Sequence, residues 1–483
     1  MRHGKTSWRW VSAAVLLLGA TTACTGGEGH DNQAGPPSVR PLTGTQLVIA
    51  TGVDVTGKNG IRKHLVDAWN TLQEKQHSPY RAQAVILPGS ADLQRSQLLA
   101  ALQSGSAGYD IVNLDVTWVA EFAAAGLVRE LPPEFVDDGD IIDKAATTAR
   151  WKGKVYSVPY NSDVGLLYYR RDYLIDGAGI EESKLTDLTR KDATWNDVAS
   201  LMDGVDAWAR ADKSEKSKNY RSAWTSQLSP YEGLTVNGTE AFASAGVHLT
   251  DDDGDYTATP GNLAKGIAEF RRRTASAHTL DSAFDADEAG TLKDFAEGKT
   301  AFLRHWPYAY RTLHTALGSG KLGVAPLPGA VLGGQNLAIA ANPGMTPQRI
   351  TKAKELVKFL TDRTSERCLL DAGFAATRTS AYTDPAVSCD GDRAAPSAPA
   401  RSEGNAADMP RDPSHRPLYA HDTLLPALQS ATLRPRTPFY GAFTHAFTTA
   451  LNRLHTAAEA RSMPDEAAAA ELDKELRTVL PSG

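Results

Sequence analysis

Short apolar runs alternate along this chain with longer segments whose apolar positions recur every three or four residues. Leu47 to Thr51 (LVIAT) is a β-rich run, and after a Gly/Asp turn Ile61, Leu65, Ala68 and Trp69 share one face of a helix. Val85 to Leu87 and Tyr109 to Leu114 (YDIVNL) predict two further strands, with a helix over Leu93 to Leu102 between them. Strands that alternate with helices predict a parallel α/β sheet. Ligands of such sheets bind beyond the carboxyl ends of the strands, which directs attention to Gly52–Thr56, Asp115–Trp118 and Tyr160–Asp163.

The middle of the chain is more helical. Thr194-Trp195-Asn196-Asp197 predicts a capping box, and Thr346-Pro347 opens another helix, whose Ala353, Leu356, Val357 and Leu360 form one apolar face. Residues 390–417 are Pro/Ala-rich and polar, which predicts a long exposed loop, and the tail from Pro464 predicts a helix.

The N-terminus follows a different pattern. Arg2, Lys5 and Arg9 precede a ten-residue apolar run, Val11 to Ala20, half the length needed to cross a bilayer. Thr21, Thr22 and Ala23 then lead to Cys24. The sequence ATTAC resembles a bacterial lipobox, with Thr21 where Leu is usual; this implies cleavage after residue 23 and lipidation of Cys24. Residues 25–44 are rich in Gly and Pro and poor in apolar groups, the composition of a flexible tether.

Composition narrows the function. About 460 residues remain after residue 23, too many for one core, so two lobes are expected. The full chain carries −6; the first 23 residues hold three Lys/Arg and no acid, which leaves 48 basic against 57 acidic residues, or −9. This balance argues against nucleic acid or an anionic solute as the main partner. Three cysteines occur; with Cys24 lipidated, Cys368 and Cys389 remain, bonded to each other or free.

Catalytic signatures are missing. The GKT of Gly298-Lys299-Thr300 has Lys293 where a phosphate loop needs Gly, no HExxH or GxSxG occurs, and the 12 His lack metal-ligand spacing. Acid pairs such as Asp285 and Glu288 could serve a glycosidase, but a chain with 57 acids offers many such pairs. No enzyme, metal or cofactor is expected.

The order of segments is informative. GYDIVNLDVTWVAEFAAAGLVREL (108–131), GKVYSVPYNSDVGLLYYRRDYL (153–174), TWND (194–197), FAEGKTAFLRHWPYAY (295–310), LGVAPLPG (322–329), GGQNLAIA (333–340), the helix 351–360 and RPRTPFY (434–440) follow one another as in family 1 extracellular solute-binding proteins of ABC sugar importers. Within that group the chain is most similar to lipoproteins that bind trehalose, maltose and related α-glucosides. The family's Pro-Thr-Arg after the 351–360 helix is replaced here by Ala376-Thr377-Arg378.

The resemblance implies a two-lobed periplasmic-binding-protein-like α/β fold of type II, with a hinge and an interlobe cleft. The expected lobes are 45–158 with about 324–372, and 159–323 with about 373–483. It also implies a monomer anchored outside the cell by lipid, which hands a sugar to permease subunits driven by a cytoplasmic ATPase. A neutral sugar needs aromatic platforms and fixed polar groups. Trp306 in HWPYAY is the leading platform, and Glu288 the leading hydroxyl acceptor, with Asp287 as its alternative. Asp54, Thr56, Asp115, Asn161 and Asp163 follow the first-lobe strands, Gly334 and Gln335 offer backbone amides, and Arg436, with Arg434 as rival, supplies a donor.

Overall fold

The computed structural model describes residues 44–53, 60–105, 108–190, 192–318, 320–393 and 409–481. Asp54, Thr56 and Cys24 lie outside the described residues. Eleven strands occur among the described residues, in chain order: β1 (Gln46–Thr51), β2 (Arg81–Ile86), β3 (Ile111–Asp115), β4 (Arg150–Trp151), β5 (Lys154–Val155), β6 (Val158–Val164), β7 (Leu166–Arg170), β8 (Ser222–Thr225), β9 (Thr300–His305), β10 (Leu322–Pro326) and β11 (Leu332–Ile339).

Two sheets organise two lobes. The first has the order β2-β1-β3-β11-β6, and the second β10-β7-β9-β8. The alternation of strand and helix correctly predicts parallel pairing of β1 with β2 and β3, but β11 and β6 add to the same sheet antiparallel. The reason is connectivity. These two strands return from the second lobe or lead into it, so no right-handed helical crossover fixes their direction.

Both lobes show the local chemistry expected. Leu47 and Ile49 of β1 are buried with Leu65, Val66 and Trp69 of the helix Ile61–Lys75, the period-2 and helical faces meeting. The strand predicted at 85–87 begins earlier, at Arg81, because its backbone pairs with β1 from Gln46 onward. Thr194 and Asp197 form the capping box, and the Thr346 hydroxyl accepts from the Arg349 amide at 3.2 Å. The tail forms the helix Asp465–Val479. Cys368 and Cys389 are disulfide-bonded, which fastens the helix Arg363–Ala372 to the segment before the polar stretch.

The chain passes between the lobes three times. Strand β6 stays in the first sheet to Val164, so the first passage is at Gly165 and not at 158/159 as expected. Strand β10 pairs with β7 in the second sheet, which puts the second passage at Leu327–Val331 and not at 323/324. Residues from 373 onward were expected in the second lobe, yet Ala375 bridges Ser162, Arg378 bridges Ile141, and Ser380 donates to Asp140 of the first, whereas Tyr419 stacks on Tyr310 of the second at 4.0 Å. The third passage therefore lies beyond Ser380. Thr432 accepts from the Leu332 amide at 2.8 Å and donates to Ala330 at 2.9 Å, so this late segment lies beside the second passage at the hinge.

Candidate functional site

The strand ends of the first sheet converge on a cavity of about 220 Å³. Its wall takes Arg62, Asp115, Asn161, Asp163, Gly333, Gly334, Gln335 and Phe374 from the first lobe, and Glu232, Glu288, Trp306 and Tyr308 from the second. Arg434 enters from the hinge. A wider hollow of about 650 Å³, lined by Tyr231, Asp287 and Leu292 among others, shares Glu232, Glu288 and Tyr308 with it.

The first-lobe wall is a hydrogen-bonded lattice of neutral groups around one cation. The Arg62 guanidinium donates to Asn161 Oδ1 at 2.8 Å and to Gln335 Oε1 at 2.6 Å, and it lies 4.7 Å from the centre of the Phe374 ring. Asn113 donates to Gln335 Oε1 and to the Thr51 hydroxyl, both at 2.9 Å. Register explains the convergence: Gln335 sits opposite both Asp115 and Asn161 in the ladder, and Thr51 ends the neighbouring strand.

Gly334 is required at this point by its backbone. Its φ is +115°, and a Cβ there would meet the Asn161 carbonyl oxygen at 2.4 Å. At Gly333 a Cβ would press on the Trp306 ring at 3.0 Å. The glycine pair thus lets β11 pass close beneath the ring.

The second-lobe wall is aromatic and mounted on charge. Trp306 follows strand β9; its carbonyl accepts from the Tyr168 hydroxyl at 3.0 Å, and the Arg304 guanidinium stacks behind its ring at 3.7 Å. Arg304 is itself held by Glu240 at 2.7 and 3.0 Å, and both side chains are only 1% exposed. Glu288 accepts from the Tyr231 hydroxyl at 2.6 Å. The buried His305, whose imidazole is pushed down to about 4 by loss of solvent, is neutral, and its Nε2–H is placed to donate to the Glu288 carbonyl at 3.1 Å.

Arg434 joins the lobes. It donates to Asp115 at 2.9 Å on the first and to Glu232 on the second, and Tyr440 donates to the same Glu232 carboxylate at 3.0 Å. Burial and the like charge of Asp115 push Glu232 up to about 8 while Arg434 pulls it down. Asp163 is also pushed up, to about 7, by burial and by Asp115, against the pull of Arg62, Arg304 and Arg434.

Of the sequence-predicted residues, the cavity collects Asp115, Asn161, Asp163, Glu288, Trp306, Gly334 and Gln335. Val53, next to the undescribed Asp54, lies on its rim. Gln335 contributes its side-chain oxygen to the lattice where a backbone amide was expected. Asp287 is used as the cap of the helix Glu288–Ala296, accepting from Gly290 at 2.9 Å, which leaves Glu288 to face the cavity. Arg436 is a correction: it turns away to the Asp252 carbonyl at 3.3 Å, and its rival Arg434, two residues earlier, takes the cavity position. Arg62, Glu232, Tyr308 and Phe374 were missed. Arg62 carried one signal, as a cation in the first helical turn beyond the end of β1.

Two lobes, three passages and a polar-aromatic cavity between the lobes define a cleft-type binding protein rather than a fold with its site on one face. The chain belongs to the family of bacterial extracellular solute-binding proteins, whose model matches residues 71–395. It is 26% identical over 328 residues, 63% of this chain and 70% of the other, to a probable ABC transporter-binding protein of Deinococcus radiodurans. Among solved structures, maltose-bound MalE3 of T. maritima superposes with a TM-score of 0.68 at 22% identity, over 90% of this chain and 100% of that one. UgpB from Mycobacterium tuberculosis, in complex with glycerophosphocholine, gives 0.65 at 17% identity, over 90% and 98%. At these identities the likeness establishes the fold. The relatives are binding components of transporters, not enzymes. No described helix is long and apolar enough to cross a membrane.

Proposed function

We propose that this chain is the extracytoplasmic binding subunit of an ABC-type importer, and that it captures a sugar, a disaccharide such as trehalose or another α-glucoside. The observation that carries this reading is the cavity itself. One indole ring, Trp306, faces a wall of carboxylate and amide groups across the interlobe space. A pyranose offers an apolar C–H face to such a ring and hydroxyl donors to such acceptors, and both kinds of contact come already positioned. The D. radiodurans relative, a probable ABC transporter-binding protein, and the maltose-bound MalE3 point the same way.

Transport requires release as well as capture. A solute that touches Trp306 and Glu288 on one lobe and Asp115 and Asn161 on the other binds the closed state better than the open one, and so shifts the population toward closure. The permease pair and its cytoplasmic ATPase then act on the closed form. Cys24, lipidated, keeps the protein at the outer face of the membrane, and residues 25–44 set its reach.

A thermal-shift panel of trehalose, maltose, sucrose, cellobiose and monosaccharides tests the solute, with product analysis of each hit. Stabilisation by a disaccharide without turnover supports the reading. No stabilisation by any sugar sinks it, and a hydrolysis product would point to a glycosidase.

A further inference from the structure

Among the described residues the cavity wall has no cation to spare for a solute. Arg62 is engaged by Asn161 and Gln335, and Arg434 by Asp115 and Glu232. Among the described residues four carboxylates share the space with these two: Asp115, Asp163, Glu232 and Glu288. Arg434 answers two of them and the Tyr231 hydroxyl a third.

Asp163 is the fourth, and the described residues leave it unanswered. Its Oδ1 is sealed from solvent and accepts no hydrogen bond; its Oδ2 receives only a long contact from Asn161 Nδ2, at 3.4 Å. The charged groups around it are otherwise engaged. Arg62 holds neutral amides, Arg304 is matched by Glu240, Arg434 is shared between two other acids, and Asp115 adds a like charge. A buried carboxylate with one weak donor is costly, and burial here holds the carboxyl protonated up to about 7.

We infer that the solute carries a protonated amine on its sugar frame, and that Asp163 is the carboxylate that receives it. The inference rests on the sugar reading above. A hydroxyl would supply Asp163 with one donor but no charge; an ammonium supplies both, and the resulting bond is of the stronger, charge-assisted kind. The aromatic wall divides the work. Arg304 already lies over the Trp306 ring, which suits that ring to the C–H groups of a pyranose better than to a second cation.

The test uses the full chain and the neutral sugar that stabilises it most, compared with its mono-amino derivatives at each ring position and with their N-acetyl forms. Isothermal calorimetry at neutral pH is expected to find one amino isomer binding about tenfold tighter than the parent, with the advantage lost on N-acetylation. Binding of that isomer near pH 6.5 should release a proton from Asp163, seen as heat that depends on the buffer, whereas the parent sugar should release none. In Asp163→Asn, or in Asp163→Ser if the first variant does not fold, the ratio of the two affinities should fall to about one. The proposal is overturned if no amino isomer exceeds the parent, or if the ratio survives removal of the carboxylate. Failure of every sugar and amino sugar to bind would instead overturn the sugar reading beneath it.

Discussion

On the first-lobe wall of the cleft, Arg62, Asn113, Asn161 and Gln335 fix one another through neutral acceptors, whereas on the second-lobe wall Trp306 stands on the buried Arg304–Glu240 ion pair. The two solutions differ in what they risk. The lattice spreads its bonds over several groups, so the loss of one member leaves others in place. The ion pair concentrates two charges in the core, where neither is tolerable alone. A binding cleft needs both walls pre-formed, yet one is built by many modest bonds and the other by one high-stakes pair.

Substitutions can break this contrast. Glu240→Ala leaves Arg304 charged and unpaired beneath Trp306, and we expect a loss of about 3–5 kcal/mol in urea denaturation. A loss below about 1 kcal/mol would show that the second wall does not depend on the pair. Trp306→Ala should cost about 1–3 kcal/mol of sugar affinity by calorimetry, with little effect on folding, since the ring is only partly buried. Unchanged affinity would remove Trp306 from the site. Gln335→Leu, on the opposite wall, should cost about 1–2 kcal/mol of stability, because Arg62 keeps Asn161 when Gln335 is lost. A loss as large as that of Glu240→Ala would erase the distinction between the walls.

Acidity offers a finer probe. The carboxyl of Asp163, raised to about 7 by burial, keeps in the folded state a proton that an unfolded Asp sheds near pH ~4. Its contribution to stability is therefore full at low pH and is lost as pH rises toward 7, at a slope of at most about 1.4 kcal/mol per pH unit. Subtracting the melting profile of Asp163→Asn from that of the wild type should isolate this slope. A flat difference would mean that Asp163 titrates normally.

Much of this architecture was legible in the residues. The β1 run, the capping box at Thr194 and the Pro-opened helix after Thr346 are local signals, and each appears in place. The HWPYAY segment pointed to Trp306, and YDIVNLD to Asp115, because a polar residue that ends an apolar strand has few other uses. What escaped depends on distant partners. Nothing near Arg436 in the chain says that it meets Asp252 while Arg434 meets Asp115 and Glu232, more than 180 positions away in each case. Ala375 and Ser380 were expected in the second lobe, yet Ser162 and Asp140, more than 200 positions earlier, hold them on the first. Arg62 takes its role from Asn161 and Gln335, 99 and 273 positions away in the chain.

The central claim is that a sugar sits between these two unlike walls. A crystal structure of the protein with the sugar that stabilises it most tests this directly. We expect a pyranose ring stacked on Trp306, with hydroxyls or an amine within hydrogen-bond reach of Asp163 and Glu288 and the lobes closed around it. A sugar bound elsewhere, such as in the hollow beside Arg190 and Thr432, with the Trp306 cavity empty, would contradict it.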